Sequence, residues 1–161
     1  MADLNITIQE NITLPNNNKE TLFNTIFISN INQVLRRTDT IATNFSGSGI
    51  EILKFVDSEE QQTAGSFVKS NVKYIRITNL SPTYNAEIYL IATDLGSTLF
   101  NINPGKTIML NDADINVSST TDYLPDGYVD ETYYSSFTYI DTIKAKAISG
   151  SVQLEYFVAS T

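Results

Sequence analysis

Apolar and polar residues alternate with a period of two along much of the chain, the pattern of half-buried β-strands. Leu4, Ile6 and Ile8 alternate with Asn5 and Thr7. Ala86, Ile88, Leu90 and Ala92 interleave with Glu87, Tyr89 and Ile91, and Val152, Leu154, Tyr156 and Val158 with Gln153 and Glu155. Such alternation sets one face on a core and the other toward water or a partner. Further strands are predicted over residues 33–43, 50–56, 72–79, 106–110 and 137–147. The segments between them carry turn residues: Ser46-Gly47-Ser48-Gly49, Ser81-Pro82, Asn103-Pro104-Gly105, Pro125-Asp126-Gly127 and Ser149-Gly150. Pro104-Gly105 suits the centre of a type II turn, since proline fixes φ and glycine accepts a positive one. Ser149-Gly150, between two alternating segments, reads as a hairpin. Tyr74 to Thr78 reads as a strand that ends at the 79–82 turn and returns as 86–92. Eight or so strands with turns between them predict an all-β fold, a single β-sandwich of jelly-roll type over residues 31–161. An extended N-terminal arm, residues 1–30, precedes it.

Two stretches fit this pattern less well. In residues 18–27, Leu22, Phe23, Ile26 and Phe27 stand at helical spacing behind Asn18 as an N-cap, while the Thr and Ile content suits a strand. A short helix and a strand are equal readings, and the polar Pro15 to Asn18 run would separate arm from body. Residues 111–136, rich in Asp, Ser, Thr and Tyr, read as a long acidic, Tyr-rich loop with little regular structure.

Composition narrows the chemistry. A chain of 161 residues with 42% hydrophobic content can bury one core. No apolar run approaches the ~20 residues that cross a bilayer, and the first residues lack the basic and apolar regions of a signal peptide. The reading is a chain made in the cytoplasm, without a membrane partner. There is no cysteine and no histidine, so thiolate nucleophiles, imidazole ligands and Ser-His-Asp triads are excluded. The net charge of −8 opposes binding to a phosphate backbone. Between Thr107 and Ile143 stand seven acids (Asp112, Asp114, Asp122, Asp126, Asp130, Glu131, Asp141) and no base.

Three kinds of site remain. Asp112-Ala113-Asp114-Ile115-Asn116 opens like an EF-hand loop, but Val117 replaces the glycine and Tyr123 the final glutamate. Asp112, Asp114, Asp126 and Asp130 are therefore weak metal candidates beside a solvated acidic loop, and no cofactor is expected. Glycoside hydrolysis needs only two acids, and Glu51, Glu59, Glu60, Glu87 and Glu155 are available, but nothing selects a pair. Glu87 and Glu155 lie on the polar phase of their strands, where a carboxylate is ordinarily solvated. The interaction candidates are Tyr123, Tyr128, Tyr133, Tyr134 and Tyr139, which crowd the acidic loop, and Arg76. Tyrosine joins an apolar ring to a polar hydroxyl and suits sugar or protein surfaces. Arg76 shares a strand face with Tyr74 and Thr78, pointing to solvent, to a carboxylate across a subunit contact, or along the sheet with its stem packed down. Sequons at Asn5, Asn11, Asn44, Asn79 and Asn116 are read as chance products of an Asn-, Ser- and Thr-rich chain.

Ala64-Gly65-Ser66-Phe67-Val68, followed by Asn71-Val72-Lys73-Tyr74-Ile75-Arg76-Ile77-Thr78-Asn79-Leu80, resembles small virion proteins of marine tailed phages, especially T4-like cyanophages. Asn103-Pro104-Gly105-Lys106 and the Phe157-Val158-Ala159-Ser160-Thr161 ending are similar to the same pattern, which covers roughly residues 30–161. The resemblance is one of β-segment style and brings no catalytic residues. It implies a structural protein of the virion rather than an enzyme: a capsid decoration (cement) protein on the outer head surface. Its partners would be the major capsid protein or other virion proteins, and copies of itself, with a trimer at local threefold positions. The alternatives are a tail-associated or fibre-tip protein that touches host glycan through its Tyr-rich loop, and a carboxylate-based glycoside hydrolase.

Overall fold

The computed structural model describes residues 2–43, 47, 49–92, 96–111, 116–118, 133–135 and 140–161, those at 116–118 and 133–135 as backbone only. Thirteen strands and two short 3-10 turns make up its regular structure, with no α-helix among the described residues. The body is built from β3 (Gln33–Ile41), β4 (Ile50–Val56), β5 (Ser66–Val68), β6 (Val72–Asn79), β7 (Ala86–Ala92), β8 (Gly96–Ile102), β9 (Thr107–Asn111), β12 (Thr142–Ala147) and β13 (Val152–Ser160). These form a four-stranded sheet in the order β3-β13-β6-β9 and a five-stranded sheet in the order β5-β4-β12-β7-β8. All pairings are antiparallel except β4 with β5.

Both sheets turn their apolar phase inward. Ile75, Ile77, Leu154, Tyr156 and Val158 from the first meet Leu53, Phe55, Ile88, Leu90 and Ile143 from the second in one continuous core. The predicted strands at 50–56, 72–79 and 86–92 match the observed limits. The expected hairpin at Ser149-Gly150 does not form, and the strand that returns after the 79–82 turn does so in the other sheet. β12 and β13, joined through Ser149-Gly150, belong to different sheets, and so do β6 and β7. A hairpin and a crossing between sheets need the same alternation and the same turn residues. What distinguishes them is the packing at the corner. The Tyr84 ring lies so close over Gly150 that a Cβ there would sit 2.3 Å from it, so glycine is required by close approach and not by hairpin geometry.

Asn79 holds the same corner from the β6–β7 side. Its side chain is fully buried, donates to the carbonyls of Tyr84 (2.8 Å) and Ile102 (3.0 Å), and accepts from the Ser81 amide (3.0 Å). The amide of Gly105 also donates to its main-chain carbonyl. The turn at 103–106 closes through the Lys106 amide to the Asn103 carbonyl, with Gly105 at φ 68°, as a type II turn requires. Asn79 is thus a buried structural amide rather than a surface sequon.

The N-terminal segment is a ribbon of two strands. β1 (Ala2–Thr13) pairs with β2 (Lys19–Ile31) and with nothing else among the described residues. The helix reading of 18–27 is therefore wrong. Thr21, Thr25, Ile26 and Ile28 are β-branched, and each finds a partner on β1. Pro15 to Asn18 makes the tip of the ribbon, not a linker. Asn17 donates to the Leu14 carbonyl and takes φ 62°, and Leu14 donates to the Asn18 carbonyl. This is a three-residue hairpin loop whose left-handed position tolerates asparagine. At the other end β2 carries one extra residue opposite the Ala2/Leu4 step, and Asn30 sits at φ 63°. A bulge there bends the ribbon where it joins the body.

The acidic loop is not wholly irregular. β10 (Asn116–Ser118) pairs with β11 (Tyr133–Ser135), with Tyr134 opposite Val117 and Tyr133 opposite Ser118.

Candidate binding surface at the base of the arm

The ribbon's apolar side follows from its register. Leu4 faces Ile28, Ile6 faces Ile26, Ile8 faces Asn24, Glu10 faces Leu22 and Ile12 faces Glu20, and opposed residues share a face. The base of this face is covered: Leu4, Ile6 and Ile28 pack with Phe157 against a buried cluster of Ile31, Tyr74 and Ala159. Farther out Ile12 and Leu22 stand uncovered, as do Phe23 and Phe27 on the other face. With 12 residues at ~3.4 Å each, β1 reaches about 40 Å from end to end. A two-stranded ribbon alone is marginally stable in water, and here the packing of Leu4, Ile6 and Ile28 on the body supports only its base.

Where the base meets the body, the outer face of the β3-β13-β6-β9 sheet carries a charged and aromatic group. β13 is central, so Phe157 lies between Arg36 on β3 and Arg76 on β6, and Glu155 lies two residues along the same face. Arg36 donates to Glu155 Oε2 through Nε (3.0 Å) and Nη2 (2.7 Å), and Arg76 Nη2 donates to Oε1 (2.9 Å). The Arg76 guanidinium carbon lies 5.8 Å from the centre of the Phe157 ring, which meets Tyr74 edge-on at 6.0 Å. Hydrogen bonds from Arg36, then the positive charge of both arginines, hold the Glu155 carboxyl below its ordinary range despite burial. Burial pushes the Tyr74 hydroxyl up.

A cavity of about 520 Å³ opens over this group. Arg36, Tyr74, Arg76 and Phe157 form its floor and residues 4–7 of β1 its wall. Arg76 Nε is buried without a hydrogen-bond partner.

Of the sequence candidates, Arg76 lies in this site, bound to a carboxylate of its own chain rather than to solvent. Glu155 is not the solvated carboxylate expected from its phase, since only 15% of its side chain is exposed. Glu87 faces outward from the other sheet, accepting from the Tyr89 hydroxyl (2.7 Å) with Lys146 at 3.9 Å. The two glutamates therefore lie on opposite outer faces and cannot act as a pair. No cluster of metal-ligating side chains occurs among the described residues. Asp112, Asp114, Asp126, Asp130, Tyr123, Tyr128 and Tyr139 lie outside the described residues, and Tyr133 and Tyr134 are described only as paired backbone. The sequence reading missed Arg36, Glu155 and Phe157 as partners of Arg76. One signal was available: Phe157 is an aromatic residue on the polar phase of β13, so something other than water had to lie over that face.

Other ionic contacts tie the body together. Lys69 is buried between Asp57 (2.7 Å) and Asp141 (2.5 Å). Burial alone would depress its ammonium, and the two carboxylates outweigh it and raise the pKa. Tyr156 donates from the core edge to Asp39, which also receives Arg37 Nε at 2.9 Å.

Neither a scan of protein-family models nor searches of curated proteins and of solved structures returns a match to this chain.

Proposed function

We propose that the chain is a structural subunit of a virus particle, a decoration (cement) protein on the outer surface of a phage head. The observation that carries this reading is the self-paired ribbon of β1 and β2, with Ile12, Leu22, Phe23 and Phe27 uncovered beyond its seat on the body. A body that extends a long ribbon with uncovered apolar residues is suited to joining neighbouring subunits, and the outer part of the ribbon, paired only with itself among the described residues, would gain stability from a partner that covers it.

The fold supports the reading at a coarser level. The chain crosses between sheets at most connections, β7 to β8 staying within one, so that β3-β13-β6-β9 runs beside β4-β12-β7-β8, with β5 added at an edge. We read this order as a jelly roll, an eight-stranded pair of sheets used by viral capsid and lectin domains. Fold alone does not fix function, and the arm is what favours a building part. The net charge of −8 suits an outward position away from packaged DNA. Assembly as a trimer belongs to the same proposal, by analogy with local threefold positions.

The test is attachment to phage heads stripped of the protein. Intact chain should co-sediment with the heads, whereas a chain lacking residues 2–30, shown by circular dichroism to keep its β structure, should remain in the supernatant. Equal attachment of both would overturn the arm's role. Attachment to tails alone would overturn the head assignment.

A further inference from the structure

We propose that the cavity at the base of the arm receives an extended segment of another protein chain. This segment would lie as an added strand along residues 4–7 and be anchored by an aspartate or glutamate on Arg36 and Arg76. The proposal is separate from the particle reading, because it asks only that some chain present such a segment.

Three observations carry it. The wall of the cavity is made by four consecutive residues of β1, Leu4, Asn5, Ile6 and Thr7. Neighbouring residues of a strand point to opposite faces, so a wall formed by all four is the strand's edge. β2 occupies the other edge, and β1 has no further strand partner among the described residues. A row of backbone donors and acceptors thus faces the cavity, and it matches the backbone of another extended chain. The second observation is charge. Two guanidiniums share the single carboxylate of Glu155, leaving one positive charge in excess on a chain whose net charge is −8. The third is Arg76 Nε, a buried donor with no acceptor. A carboxylate entering over Phe157 would balance the charge, and a turn of the Arg76 side chain, 36% exposed, would bring Nε to it as the missing acceptor; charge-assisted bonds to guanidinium are the stronger kind. The apolar floor of Phe157 and Tyr74 suits the side chains that flank the acid on the same face.

The probe is a seven-residue peptide of alternating threonine and valine with a central glutamate, titrated into the ¹⁵N-labelled full chain. The amides of residues 4–7 and the Nε–H of Arg76 should shift. The peptide with central glutamine should bind about tenfold more weakly, as the loss of one charge-assisted contact implies. Backbone N-methylation of the glutamate peptide should abolish binding. Arg36→Gln should weaken the glutamate peptide by a similar factor with the amide spectrum otherwise retained, because the Arg36 side chain is 70% exposed. Absence of binding, equal affinity for the glutamate and glutamine peptides, or shifts confined to other surfaces would overturn the proposal. Acetate binding as tightly as the peptide would overturn the added strand.

Discussion

Individual side chains hold this protein at positions that composition does not mark. Asn79 is one polar residue among many asparagines, yet it satisfies the carbonyls of Tyr84 and Ile102 and the amide of Ser81 inside the body. Asn79→Ala would leave these groups buried and unpaired, costing about 3 kcal/mol, read as a lower urea midpoint at an unchanged slope. Glu155 sets an acid limit. Its folded pKa lies below the ordinary 4.5, so its contribution is complete above pH 4.5 and is lost as pH falls through the lowered value. Unfolding free energy measured against pH should decline there, and Glu155→Gln should show less of that decline. Tyr156 sets the alkaline limit. Burial, then its bond to Asp39, raises its hydroxyl above the ordinary 10.0. Stability is full below pH 10 and falls above it as the unfolded chain ionises first; Tyr156→Phe should remove that part of the fall.

At the scale of elements, strands buried on one face were legible because their period is two and their ends carry turn residues. The alternating segments at 86–92 and 152–158 were placed for that reason, and Pro104-Gly105 as a turn likewise. β8 was missed because Gly96, Ser97 and Thr98 open it without a clear apolar phase, and β5 because three residues hold too little pattern. Which strands join a common sheet could not be read, since a corner and a hairpin use the same residues. The site was half legible for a related reason. Arg76 and Tyr74 share one strand and one face, but Glu155 meets Arg76 and Arg36 only through sheet pairing, across 79 and 119 residues. The ribbon and the body should also differ in how they tolerate loss. Removal of residues 2–30 leaves every strand pair of the body intact, whereas β13 lies between β3 and β6. Deleting residues 152–161 should abolish cooperative unfolding in circular dichroism, and deleting the ribbon should preserve it.

Taken whole, the molecule divides its work between a body with a continuous core and an arm that exposes what a core would bury. The body fixes the arm's base through Leu4, Ile6 and Ile28 on Tyr74, Phe157 and Ala159, and the bulge at Asn30 sets the direction in which the ribbon leaves. On the proposed reading, the uncovered residues beyond that point, Ile12, Leu22, Phe23 and Phe27, are where a neighbouring subunit would bind. A cryo-EM reconstruction of the intact particle tests this most directly. The account predicts body density on the outside of the head, with the ribbon laid against an adjacent subunit and Phe23 and Leu22 covered by it. Density confined to the tail, or a head-bound body whose ribbon projects uncovered into solvent, would contradict it.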